Sequence, residues 1–130
     1  DVEIELDGLV PQALYGPTRY LDTIAHATAQ ADILKHDEKC DLVICLSHLG
    51  YKYDYAKVSD IQLAQNSKSI DIIIGGHMDK PDIYRNKEGE NVIIHQVGWA
   101  GIRLGKIDVT FEKNKRNKCV TCEGIWVKEA

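Results

Sequence analysis

The chain contains two short apolar runs that end in the same way. Residues 42–46 (Leu-Val-Ile-Cys-Leu) lead into Ser47 and His48, and residues 70–74 (Ile-Asp-Ile-Ile-Ile) lead into two glycines and His77. Short, nearly uninterrupted apolar runs are typical of strands buried on both faces, as in parallel sheets. The stretch between the runs is long enough for the crossover helix that two parallel strands require, which we place at about residues 58–68. The pattern therefore predicts a parallel strand pair with a histidine following each strand.

The other elements of the first half follow from the same kind of pattern. Residues 2–6 alternate apolar and polar side chains, which indicates a half-buried strand, and residues 11–17 are expected to form a loop. Apolar positions then recur at helical spacing over residues 18–37, which predicts an amphipathic helix. Ser59 and Asp60 are candidate N-caps for the crossover helix.

The second half has the pattern of antiparallel strands. Residues 83–84 and 92–94 are joined by a polar connection that contains Gly89, which is typical of a hairpin. Residues 104–111 alternate apolar and polar side chains, and residues 125–127 are expected to form a final strand. We therefore predict an α/β fold in a single domain, with a βαβαβ portion followed by an antiparallel meander.

Composition and charge exclude several classes of protein. The 130 residues carry a net charge of −4 with 44% hydrophobic residues, which is not the footprint of a protein that binds nucleic acid polymers. No segment reaches the ~18 uninterrupted apolar residues of a membrane span.

Cys119 and Cys122 form a single CxxC pair. A redox CxxC normally opens a helix, whereas the residues around Cys119 and Cys122 predict a strand. We therefore interpret both as ordinary strand cysteines rather than as a redox pair.

His48 and His77 are the candidate functional residues. Open α/β sheets bind ligands at the carboxyl edge of their strands, where the predicted parallel pair places both histidines. Two imidazoles that converge there indicate a metal site. The competing interpretation is a structural histidine at each strand end. His95, which follows an apolar strand, is interpreted as structural, and His26 and His36 as surface positions of the helix.

Three motifs together resemble those of a known family. Residues 41–50 (Asp-Leu-Val-Ile-Cys-Leu-Ser-His-Leu-Gly), residues 72–77 (Ile-Ile-Ile-Gly-Gly-His) and residues 96–105 (Gln-Val-Gly-Trp-Ala-Gly-Ile-Arg-Leu-Gly) are similar in order and spacing to motifs of 5'-nucleotidases. These enzymes belong to the calcineurin-like metallophosphoesterases. The resemblance extends from about Gly8 to Phe111.

The resemblance implies both a fold and a chemistry. The family fold is an αββα sandwich that holds two divalent metal ions at its strand ends, with Zn²⁺, Mn²⁺ or Fe²⁺ as the expected metals. The resemblance implies that His48 and His77 bind the same metal of the pair. The implied activity is metal-assisted hydrolysis of phosphate esters, foremost nucleoside 5'-monophosphates. It also implies a periplasmic or cell-envelope location.

The last ligand of the family pattern is changed in this chain. The family has Gly-His-x-His, and here the segment reads Gly76-His77-Met78-Asp79. In one interpretation the Asp79 carboxylate replaces the final imidazole as a metal ligand. In the other, a short deletion follows His77, Asp79 belongs to the next loop, and one ligand is lost.

The family motifs Asp-x-His, Gly-Asp and Gly-Asn-His-Glu are not found in this sequence. We therefore expect residues 1–130 to correspond to the C-terminal portion of a metallophosphoesterase catalytic domain, without catalytic residues of their own. The expected partner of this chain is the N-terminal half of the catalytic domain or a second copy of the chain. The alternatives are a non-catalytic remnant that serves as a binding or assembly module, and a receiver-like domain. A phosphorylatable receiver needs acidic residues where this chain has histidines.

Overall fold

The computed structural model describes residues 12–17, 21–76, 82–98, 101–112 and 118–127. Within these ranges no helix combines the length and apolar character needed to cross a membrane. The helices are α1 (Gln12–Tyr15), α2 (Thr23–Asp32), which continues into a π-helical turn (Ile33–Asp37), and α3 (Asp60–Asn66). The strands are β1 (Ile44–Leu46), β2 (Ile72–Ile74), β3 (Asp82–Arg85), β4 (Asn91–His95), β5 (Arg103–Phe111) and β6 (Lys118–Trp126).

The strands form two sheets. The first has the order β1-β2-β4-β3, in which β1, β2 and β4 are parallel and β3 is antiparallel to β4. The second is an antiparallel ribbon of β5 and β6. The predicted α/β class, with a parallel pair joined through a helix, is thus confirmed. The antiparallel strands divide between the two sheets, because β4 extends the parallel sheet and leaves β3 at its edge.

One face of the four-stranded sheet packs on the helices and forms the core. Ile73 of β2 and Ile94 of β4 are fully buried there, together with Leu63 of α3. Alternate residues of a strand point to opposite faces, so Val43 and Cys45 of the β1 segment face the same core. The packing of two helices on this face accounts for the apolar side chains that point towards it.

The opposite face of the sheet is only partly covered. His95 at the end of β4 packs against β5, where a Cβ on Gly105 would lie 2.7 Å from its Nε2. Towards the β1 edge, Ile44 is 46% exposed and Leu46 is 78% exposed. On the other edge Ile83 is 59% exposed. On this face of the sheet, β5 covers the area around His95. Large apolar side chains are therefore exposed to solvent on both sides of that covered area.

Two predictions about the first helices require correction. The predicted loop at 11–17 contains the short helix α1. The long helix begins at Thr23 rather than near residue 18, because the Asp22 side chain accepts a hydrogen bond from the Ala25 N–H (2.8 Å) and caps it there. The predicted helical end near residue 37 is confirmed by the π-helical turn.

The remaining element predictions are confirmed with shifted boundaries. The crossover helix spans Asp60–Asn66 with Ser59 as its N-cap, and the hairpin joins β3 and β4 with Gly89 at φ 80°. The final strand is longer than predicted, Lys118–Trp126, and includes both cysteines of the CxxC pair, which are free thiols. The predicted strand at 2–6 lies outside the described residues.

Candidate functional site at the carboxyl edge of the sheet

The three parallel strands end side by side at one edge of the sheet. The hydrogen-bond ladder continues past the strand ends: the Ser47 N–H donates to the Ile74 carbonyl (2.9 Å), and the Gly75 N–H donates to the His95 carbonyl (3.1 Å). The residues that follow the strands are therefore held in register. The predicted juxtaposition of the segments before His48 and His77 is confirmed at the level of these strands.

Hydrogen bonds on both sides hold the turn that carries His48. The Ser47 Oγ accepts a hydrogen bond from the Leu49 N–H (3.1 Å), and the Tyr53 hydroxyl donates to the Leu49 carbonyl (2.7 Å). Gly50 closes the turn at φ 84°, a conformation that glycine adopts without strain. The backbone of His48 is thereby restrained although its side chain is exposed.

A buried carboxyl lies directly beneath these strand ends. Asp60, the first residue of α3, is fully buried and accepts hydrogen bonds from the Ser47 hydroxyl and from the Gln96 amide (2.5 Å). Its own N–H donates to the Gly50 carbonyl (2.8 Å). A Cβ on Gly75 would collide with both the Asp60 carboxylate and the Gln96 amide, so the end of β2 passes directly over this hydrogen bond.

Burial dominates the electrostatics of this edge. It raises the pKa of the Asp60 carboxyl above its ordinary value, against the opposing effect of its two hydrogen bonds and of the nearby His48. Burial, reinforced by the charge of Asp60, also raises the pKa of the Cys45 thiol. Cys45 therefore stays protonated at neutral pH and is unsuited to act as a nucleophile.

The space beside the His48 ring is compatible with a ligand site. A Cβ on Gly76 would lie 3.7 Å from Cδ2 and 4.0 Å from Nε2 of His48, so the ring stands against the backbone that leads to His77. The glycine leaves room where a side chain would approach the imidazole. In the described part of the chain no group of three or more histidine, cysteine or acidic residues is arranged to hold a metal ion. The other two candidate ligands, His77 and Asp79, lie outside the described residues.

A second polar cluster joins the loop after β1 to β3, and the sequence patterns do not predict it. The Tyr51 hydroxyl donates to the Asp82 carboxylate and lies 2.8 Å from the Tyr84 hydroxyl, which is itself 3.2 Å from Asp82. Burial raises the pKa of Tyr51, and the hydrogen bonds to Asp82 and Tyr84 raise it further. Tyr51 thereby ties the loop after β1 to the first residue of β3. Hairpin residues Asp82 and Tyr84 carry no local signal for this contact.

The remaining three histidines have the exposure that the sequence predicts. His26 and His36 are exposed on the helical segment. His95 is buried, and neither ring nitrogen has a hydrogen-bond partner among the described residues. Burial lowers the pKa of His95, so the neutral ring is the folded form at neutral pH.

Comparison with known proteins points to one family. No family model matches the chain. The trifunctional nucleotide phosphoesterase protein YfkN of Bacillus subtilis is 35% identical over 95 residues, which covers 68% of this chain and 6% of that protein. An apyrase of Tabanus yao is 41% identical over 118 residues, which covers 76% of this chain and 20% of the apyrase. The chain thus spans a small part of the relatives that it matches.

A solved structure agrees with these relatives. The 5'-nucleotidase precursor of Thermus thermophilus superposes with a TM-score of 0.70 at 26% identity, over 85% of this chain and 24% of that protein. The superposition covers most of the chain. Sequence relatives and structural neighbour agree with the three motifs, and the chain belongs to the 5'-nucleotidase family.

Proposed function

We propose that this chain contributes part of a dinuclear metal site that hydrolyses phosphate esters, foremost nucleoside 5'-monophosphates. The observation that carries the proposal is the position of His48, at the carboxyl end of a parallel strand and beside the glycine that precedes His77. The names of the relatives, a nucleotide phosphoesterase and an apyrase, support the substrate class. The word precursor in the name of the Thermus neighbour supports a periplasmic or cell-envelope location.

In the proposed site, His48, His77 and Asp79 are the metal ligands that this chain provides. Neutral imidazole and carboxylate suit Zn²⁺, Mn²⁺ or Fe²⁺. Two bound metal ions would supply a hydroxide nucleophile near neutral pH and neutralise charge on the phosphate. The chain's own contribution is to hold the His48 imidazole at a fixed strand end, through the hydrogen bonds of its turn.

Metal binding tests this assignment directly. In the 130-residue chain labelled with ¹⁵N-histidine, Zn²⁺ is expected to shift the ring nitrogens of His48 and His77 together. His48→Ala is expected to weaken Zn²⁺ binding at least ~10-fold, because it removes a ligand. The matched control is His26→Ala, which removes an exposed histidine of α2 and leaves the affinity unchanged. Binding that does not depend on His48 would contradict the proposed site.

The same proposal predicts negligible phosphatase activity for the isolated chain. Three candidate ligands do not complete a dinuclear site, and the resemblance assigns the bridging carboxylate and the transition-state histidine to motifs that this sequence lacks. Purified chain with Zn²⁺ or Mn²⁺ is therefore expected to hydrolyse AMP and p-nitrophenyl phosphate at the rate of a metal-only control. Robust metal-dependent turnover that His48→Ala abolishes would show that the chain is a complete enzyme.

The partly covered sheet face supports a further part of the proposal. β1 is one edge of the four-stranded sheet among the described strands, and its last residue, Leu46, is 78% exposed. Leu104 and Ile125, paired across the ribbon, are also exposed. Exposed sheet edges and apolar patches promote association. We expect these exposed surfaces to be covered by the remainder of the family's catalytic domain or, in its absence, by a second copy.

Sedimentation velocity tests that expectation. The chain is expected to sediment as a concentration-dependent mixture of monomer and larger species. Leu46→Lys places a charge on the exposed face and should shift the mixture towards monomer, whereas Gln62→Lys, at a polar position on α3, should not. A wild-type chain that remains monomeric on concentration and melts cooperatively would contradict an uncovered interface.

A further inference from the structure

Asp60 connects all three strand ends from which the candidate site is built. Its two carboxylate oxygens accept hydrogen bonds from Ser47, which follows β1, and from Gln96, which follows β4. Gly75, which follows β2, lies against this pair so closely that a Cβ added there would displace one of the two side chains. A single buried side chain thus sets the spacing of the segments that lead to His48 and His77.

We propose that Asp60 is a positioning residue for the metal site, which holds the His48 turn beside Gly75 and Gly76, the residues that precede His77 in the sequence. The inference rests on the proposed function. Asp60 acts on His48 through the Ser47 hydroxyl, whose oxygen also accepts the Leu49 N–H on the far side of His48. The residues on either side of the imidazole therefore share one hydroxyl, which Asp60 orients.

The chain contains a matched carboxylate at the opposite edge of the same strands. The Asp71 carboxylate accepts a hydrogen bond from the Val43 N–H (2.8 Å) and from the Lys35 ammonium (3.1 Å). It therefore also ties β1 to β2 and to a helix, but at their amino ends. A purely structural carboxylate and a positioning carboxylate can be distinguished by comparing the two.

The experiment measures Zn²⁺ affinity of the 130-residue chain, by the ¹⁵N shift of the His48 ring, in Asp60→Asn and Asp71→Asn. The amide keeps the volume of the carboxylate but replaces one acceptor by a donor, so Ser47 and Gln96 can no longer both donate to residue 60. Loss of a residue that orients ligands typically weakens metal binding about 10- to 100-fold, and we expect about 10-fold for Asp60→Asn. Asp71→Asn should leave the affinity within about 2-fold of wild type, because its effect is confined to the other edge.

A second pair of variants covers the case in which Asp60→Asn does not fold. Ser47→Ala and Ser69→Ala each remove one hydroxyl that donates to an aspartate, Asp60 in the first case and Asp32 (2.5 Å) in the second. Only Ser47→Ala is expected to weaken Zn²⁺ binding, by about 10-fold. Ser69 precedes β2 at the amino edge and serves as the control.

The outcomes separate the two proposals. Weakened Zn²⁺ binding in the Asp60 and Ser47 variants, with both controls unchanged, supports the positioning role. Equal effects in the matched pairs, while His48→Ala still weakens Zn²⁺ binding as read from the His77 ring, would overturn the role of Asp60 and leave the metal site intact. If wild-type chain gives no Zn²⁺-dependent shift at His48, the proposed function fails and the positioning role fails with it.

Discussion

Gly75→Ala is expected to lower the free energy of unfolding by about 3 kcal/mol, combining overpacking with the loss of a buried hydrogen bond. The added Cβ would collide with the Asp60–Gln96 hydrogen-bonded pair, and both of those side chains are buried. Either the hydrogen bond breaks or the end of β2 moves away from β4. Urea unfolding followed by circular dichroism measures the change.

Gly76→Ala is the matched control for this prediction. At the next residue the added Cβ would lie 3.7 Å from the nearest atom of His48, which is an ordinary van der Waals contact. Its effect on stability is expected to be within about 0.5 kcal/mol. Similar destabilisation in both variants would mean that Gly75 does not lie against the Asp60–Gln96 pair and that the described strand-end packing is wrong.

His95→Leu is expected to make the chain more resistant to acid. Burial lowers the pKa of His95 in the folded chain below its ordinary value of 6.5, so the unfolded chain binds a proton that the folded chain does not. This histidine therefore destabilises the fold as pH falls through about 6.5 towards the folded pKa, and contributes no pH dependence well above about 6.5. Leucine also removes a buried polar ring without partners among the described residues, a gain of about 1–3 kcal/mol.

The measurement compares urea unfolding of wild type and His95→Leu at a pH of about 7.5 and a pH of about 5, on either side of the ordinary histidine pKa. The stability difference between them should widen at the lower pH, and other titrating groups, Asp60 included, cancel because both proteins contain them. His26→Leu serves as control, since that histidine is exposed on α2. A stability difference that is equal at both pH values would contradict a neutral, buried His95.

Much of the fold follows from local pattern. The apolar runs before His48 and His77, the cap at Ser59 and the hairpin with Gly89 all depend on residues close together in sequence, and the structure contains each of them. Helix α2 shows the limit of such patterns. The predicted start lies near residue 18, but the Asp22 side chain accepts a hydrogen bond from the Ala25 N–H and starts the helix at Thr23.

The arrangement of the second half depends on contacts between distant residues. The hairpin β3–β4 has the same local pattern whether it pairs with the parallel sheet or with the ribbon of β5 and β6. Its place is decided by Ile93 and Ile94, which pair with β2 and bury both faces of β4. Burial of both faces is a property of the assembled layers and leaves no periodic signal in a five-residue strand.

The candidate site divides in the same way. His48 could be placed at a strand end from the sequence, because a buried apolar run predicts where its strand stops. The role of Asp60 could not be predicted from the sequence, since an acidic residue next to an N-cap serine ordinarily lies in solvent at the start of a helix. Only the convergence of β1, β2 and β4 over the first turn of α3 buries that carboxyl and brings Ser47 and Gln96, 49 positions apart in the chain, to its two oxygens.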